Sequence, residues 1–156
     1  MNDAHLHLLV NHFPIIGTIV GLGILISGMI LKNNSLKNTA YVLFIVAAIF
    51  AFFSMATGEG AEKLVEDMPN IGKKIIHEHE EIAEKFILVM YATALFSLLS
   101  LIAVFKKHKF TKTLEIVTLI LALGAVFLAA NVGTSGGEIR HTEIREASNN
   151  AVERTD

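Results

Sequence analysis

Apolar residues fall in four long runs, at about 13–31, 40–56, 86–105 and 116–131, and the polar residues are concentrated in the stretches between them. Each run is near the roughly 20 residues a helix needs to cross a bilayer core, the second and fourth being short. A helix of a soluble bundle carries a polar stripe along one side. Here only Thr18, Ser27, Ser54, Ser97, Ser100 and a few threonines interrupt the interiors. The pattern predicts an all-α fold, an integral membrane four-helix bundle. A helix-and-loop segment over about 58–85 separates the second and third spans, and residues 1–156 read as one domain. The short links after the first and third runs make each flanking pair antiparallel neighbours, which gives an up-down-up-down order.

Helices in lipid have no hydrophobic drive toward one another and rely on small residues for close approach. Gly17 and Gly21 form a GxxxG pair with Gly23 nearby. Ala47, Ala48, Ala51 and Ser54 are expected to serve the second helix, and Gly124, Ala125, Ala129, Ala130 and Gly133 the fourth.

Composition agrees with membrane residence: the chain is 53% hydrophobic with a mean hydropathy of +0.55. It contains no cysteine, which excludes disulfides, thiolate-bound iron–sulfur clusters and covalent c-type haem. The first apolar run is too long for a signal-peptide h-region and no lysine or arginine precedes it, so a spanning helix is expected there rather than a cleaved signal.

Charge assigns the two faces. The link after the first run carries Lys32 and Lys37, and the link after the third carries Lys106, Lys107, Lys109 and Lys112, both without an acid. The acids gather in the N-terminus, the middle segment and the C-terminal tail. Because short basic loops stay in the cytoplasm, the expected location is the bacterial inner membrane, multi-pass, with both termini extracytoplasmic. There is no basic patch for nucleic acid, and no P-loop, dinucleotide glycine motif, GxSxG or HExxH.

That orientation puts six of the seven histidines, His5, His7, His12, His77, His79 and His141, beside span ends on one side. Imidazole is the commonest metal ligand and titrates near neutral pH, so such a gathering points to a metal, a haem or proton movement. Only His108 lies at the opposite face.

In Asp3-Ala4-His5-Leu6-His7-Leu8-Leu9-Val10-Asn11-His12-Phe13-Pro14, Asn2 or Asp3 can cap a helix. His7 and His12 would point roughly 140° apart on a continuous helix, so they are not expected to bind the same atom. Pro14 predicts a kink or a helix start. His12, flanked by apolar residues at the membrane edge, is favoured for function, and His5 is read as a solvated terminal residue.

His79 shares a face with Ile82, Ala83, Phe86 and Met90 and should point into the bundle, whereas His77 shares a face with Glu81, Glu84 and Lys85. Gly133, Gly137 and His141 fall on one face if the last helix continues, leaving room for a flat macrocycle; equally, Gly136-Gly137 can end that helix. Glu59, Glu62 and Glu66 share a face just past the second run, suited to completing a non-haem metal site, to a proton path, or simply to a solvated connector.

The run His7-x4-His12-Phe13-Pro14, a histidine starting the third helix (His79) and Gly136-Gly137 after the fourth resemble the bacterial four-helix membrane family known as domain of unknown function 2231. The resemblance spans most of the chain as short motifs. Leu8 stands where a proline commonly follows the first histidine, and His141 sits closer to Gly-Gly than is usual. Some relatives are joined to Rieske-type iron–sulfur domains, so the resemblance implies redox work.

The leading expectation is a b-type haem protein, with one or two haems ligated by two histidines from His7, His12, His79 and His141. Gly133 and Gly137 would admit the ring, and Arg140 or Arg145 would pair a propionate. Electrons would pass to quinol or a periplasmic redox protein. The alternatives are a non-haem transition-metal site using histidines with Glu59, Glu62 or Glu80, for binding, transport or catalysis, and a structural subunit of a respiratory complex. Partners are the lipid bilayer and such a complex or a second copy.

Overall fold

A computed structural model describes residues 2–66, 68, 71–141 and 143–145, and among these the only regular structure is helix. Helix α1 (Asp3–Val10) is capped by Asn2, whose side chain accepts from the His5 amide at 2.9 Å, and Asp3 in its first turn complements the helix dipole. The chain breaks at Asn11 and resumes as α2 (His12–Ile30). Pro14 therefore sits in the first turn of α2, where its missing N–H has no intrahelical partner to lose.

Lys32, with φ of 51°, turns the chain out of α2, and Asn33 caps α3 (Asn34–Val65) by accepting from Ser35 and Leu36. The turn between α4 (Lys73–Phe105) and α5 (Thr111–Arg140) likewise uses a left-handed lysine, Lys107 at φ 52°. Four stretches, Asp3–Ile30, Asn34–Val65, Lys73–Phe105 and Thr111–Arg140, are long and apolar enough to cross a membrane.

These helices outrun their apolar segments. At 1.5 Å per residue, the 32 residues of α3 extend about 48 Å, against a hydrocarbon core of about 30 Å. Helix α3 continues through Gly58 and Gly60, and α5 continues through Gly133, Gly136 and Gly137 to Arg140, so Gly-Gly does not end the helix. Its last carbonyls, of Glu138 and Ile139, accept from the Arg145 guanidinium instead.

Around the bundle, α3 lies between α2 and α4, and α5 between α4 and α2. The expected GxxxG pair is spent on α3. A Cβ on Gly17 would lie 3.0 Å from that of Ala47, one on Gly21 would strike the Phe44 ring, and Gly28 sits against Lys37. These pairs occur in opposite order along the two helices. Phe13 stacks on Phe50 at 4.5 Å and extends the same seam.

The core has two apolar layers: Leu22, Leu25, Ala40, Tyr41, Phe44 and Ala122 in one, and Ala47, Ala48, Phe86, Met90, Ala125, Ala129 and Val132 in the other. On α5 the packing residues are Ala122, Ala125, Ala129 and Val132; Gly124 and Ala130 face outward. Large side chains such as Ile16, Ile19, Phe52, Leu95, Leu98 and Phe127 are exposed, while Thr18, Thr93, Ser97, Ser100 and Thr118 are wholly buried. An apolar exterior around an interior of small and hydroxyl-bearing residues is what lipid, rather than water, selects.

Candidate functional site

His7 and His79 lie at one end of the bundle, and Lys37 bonded to Glu115 marks the other, where His108 also sits. His7 is placed by α1, which lies along the extended part of α3. That close approach depends on two glycines. Gly58 faces the His7 ring with 3.9 Å between its missing Cβ and His7 Cε1, and a Cβ on Gly60 would collide with the Asp3 side chain. Glycine within a helix costs about 1 kcal/mol relative to alanine, and the docking of α1 offsets that cost.

His7 Nδ1 lies 2.9 Å from the Ser54 carbonyl oxygen, so in the neutral ring Nδ1–H is the donor. The Thr57 hydroxyl, 3.2 Å from the same nitrogen, commits its own hydrogen to the Phe53 and Ser54 carbonyls and can only accept. This fixes the tautomer and leaves the lone pair on Nε2.

His79 projects from the polar start of α4, on the face that continues into the span. Its Nδ1 lies 2.9 Å from Ser135 Oγ on α5. Ser135 donates to the Val132 carbonyl at 3.2 Å, leaving its lone pairs for the imidazole N–H. In the tautomer whose Nδ1–H donates to Ser135, Nε2 keeps its lone pair here too. The ring lies across Gly136, whose Cβ, were there one, would stand 3.1 Å from His79 Cε1. His7 and His79 are both half-buried and within electrostatic reach of one another, and His7 is within reach of His12.

The other expected site residues lie around this pair. His12 is exposed. His141 is exposed at the C-terminal cap of α5, with Nδ1 2.8 Å from Glu143. The Glu143 carboxyl is held below its usual range by its own backbone N–H and then by His141. Gly133 faces Ile15 and Gly137 faces Ile144. Arg140 is exposed and contacts the Met68 sulfur at 2.8 Å. Glu59 is exposed and paired with Lys63 at 2.7 Å, while Glu62 is half-buried beside Glu80 of α4.

Ser54, Thr57 and Ser135 were not singled out by the sequence as partners for the histidines. Their signal was small hydroxyl residues at the ends of apolar runs, level with a histidine on a neighbouring helix. Among the described residues, no group of three or more histidines and carboxylates converges as a metal site would require.

The model of the family of predicted membrane proteins DUF2231 matches residues 4–143, and the chain belongs to that family. No curated protein and no solved structure matches it.

Proposed function

We propose that this member of the DUF2231 family is a multi-pass cell-membrane protein, an up-down-up-down bundle with both termini and its histidines on the extracytoplasmic side, that holds a b-type haem for electron transfer. His7 and His79 are the residues that would hold it. The observation that carries this reading is the hydrogen bonding of the two rings. Each imidazole, from a different helix, has Nδ1 engaged by an oxygen and Nε2 free. A second hydrogen bond of this kind is what orients a metal-binding histidine and raises its basicity.

The donor set favours haem over a bare ion. A porphyrin supplies four equatorial nitrogens and asks the protein for two ligands, whereas a non-haem ion asks for three or more. The haem would supply the one-electron couple. The chain's own part is to hold His7 against α3 and His79 against α5, to keep both rings neutral in the same tautomer, and to offer Arg140 to a propionate. Quinol or an extracytoplasmic redox protein is the partner class that suits a site at this end.

One observation favours a second reading, a non-haem metal site: Glu62 and Glu80 lie side by side at this same end.

The test is the visible spectrum of the detergent-purified protein, oxidised and then dithionite-reduced. Bis-histidine haem gives a sharp Soret band and split reduced bands. His7→Ala and His79→Ala are expected to abolish them, and His12→Ala and His141→Ala to retain them. A featureless spectrum after expression with ample haem refutes the proposal. Bound metal that is then lost in Glu62→Gln supports the second reading.

A further inference from the structure

Helices α2 and α3 touch through small residues, and that contact leaves a recess. A Cβ on Gly17 would stand 3.0 Å from that of Ala47, so the two backbones run close together there. Larger side chains rise on either side: Phe13, Ile16 and Val20 on α2, and Leu43, Val46 and Phe50 on α3. They bound a groove of about 260 Å³, with Gly17 and Ala47 as its floor. Phe13, Ile16, Val20 and Val46 are exposed, so the groove opens outward, toward lipid. Phe13 and Val20 are seven residues apart, which makes it about 10 Å long.

The surroundings of the groove say what fits it. Its walls carry no polar side chain, so they take hydrocarbon. At the histidine end Phe13 stacks on Phe50 at 4.5 Å with 18° between the ring planes, a flat apolar surface. His12 opens α2 four residues before Ile16, on the same face of the helix, and so stands at the rim. It is exposed, has no hydrogen-bond partner among the described residues, and is within electrostatic reach of His7. Charge selects the head group. Residues 2–31 and 38–62 contain no lysine or arginine, so the two helices that form the groove offer no fixed cation to the phosphate of a phospholipid. A neutral ring bearing a hydroxyl finds an acceptor in the imidazole of His12.

We propose that this groove binds a prenylated membrane quinol, its tail lying over Gly17 and Ala47 and a ring hydroxyl donating to His12. Pockets that enclose a whole drug-sized molecule have volumes of about 300–1,000 Å³. This groove is smaller, so it holds the part of the ligand next to the ring, and the rest of the tail stays in the bilayer. The inference deepens the proposed function and rests on it for the class of ligand. It places the quinol at the outer face of the first helical hairpin, beside His7. It also gives a role to His12, which the pairing of His7 with His79 leaves unused.

The probe is a synthetic azido-benzoquinol with a short alkyl tail, photo-crosslinked to the full-length protein in phosphatidylcholine nanodiscs and mapped by mass spectrometry. The expected result is saturable labelling within residues 12–20 and 43–50. Val20→Phe and Val46→Phe fill the groove from opposite walls and should each abolish it; two are used so that one misfolded chain leaves the other to decide. Leu98→Phe, on an exposed face of α4, should retain it. His12→Ala should weaken the apparent affinity by up to about tenfold, the worth of one hydrogen bond. Labelling that does not saturate, or that is equal in the wild type and the filled variants, is partition into the bilayer and overturns the proposal. So does labelling that His12→Ala leaves unchanged, or a groove found by native mass spectrometry to retain phospholipid in place of the probe. Crosslinking needs no haem, so a colourless protein with the expected pattern refutes the haem alone, and a haem protein without it refutes the quinol site alone.

Discussion

Gly136 is the position where one methyl group should separate the site from the scaffold. A Cβ there would stand 3.1 Å from Cε1 of His79, 3.6 Å from Nδ1 and 3.7 Å from Nε2. The first of these is tighter than ordinary van der Waals contact, so in Gly136→Ala the ring must retreat by a few tenths of an ångström. That retreat stretches the 2.9 Å bond to Ser135 toward the weak edge of hydrogen-bonding distance. The loss is about 1 kcal/mol, the net worth of such a bond. Against it stands a gain of about 1 kcal/mol, because alanine replaces glycine inside a helix. The two nearly cancel, so thermal stability should hardly move while the imidazole loses its anchor. Histidine 15N NMR reads the change directly: His79 should shift from the Nδ1–H tautomer toward a mixture, with His7 unaffected. A haem-loaded sample should show a weakened or split Soret band. Unaltered His79 resonances in Gly136→Ala would refute the reasoning. So would a large loss of stability with the tautomer intact.

Gly60→Ala should push α1 off α3 and expose it to protease in limited digestion, and Asp3→Gly in the same chain should restore protection, because the Asp3 side chain, its Cβ included, is what the new atom meets. Lys37→Met or Glu115→Met alone should lower stability by about 3–5 kcal/mol in detergent unfolding, since each leaves a largely buried partner uncompensated; the double variant Lys37→Met/Glu115→Met should recover most of it. Lys32→Gly should leave the unfolding temperature unchanged or raise it, because φ at 51° strains any residue with a Cβ; a clear fall would refute that account of the turn.

The four apolar runs were legible because a bilayer imposes a length and a composition together. The helix ends were not, because backbone hydrogen bonding continues past the apolar segment into polar sequence. Residues Gly58–Val65 and Lys73–Lys85 are helical without being apolar. Gly17 and Gly21 read correctly as a close-packing pair, whereas Gly124 and Ala130, alike in composition, face outward; smallness does not reveal which face of a helix is turned inward. The face argument for His79 holds, since its ring packs against α5. The sequence favoured His12 for function on its apolar flanks and kept His7 beside it as a candidate ligand. Helix α1 lies against the extended part of α3 at Gly58 and Gly60, and it is His7 that is braced while His12 is exposed. Pairing between distant segments, such as His7 with Ser54, has no local trace in the sequence.

The bracing of the two histidines also bears on how the molecule assembles. His7 is held by α3, its neighbour within the first helical hairpin and the amino-terminal segment that precedes it. His79 is held by α5, its partner within the second. Each half of the chain can therefore finish its own imidazole mount before it meets the other. Docking the halves does not build the mounts; it brings two prefabricated ones within electrostatic reach of each other. On that view a ligand spanning both rings acts as a clasp, and a chain severed between residues 66 and 71, expressed as two fragments, should reunite more tightly when the clasp is supplied.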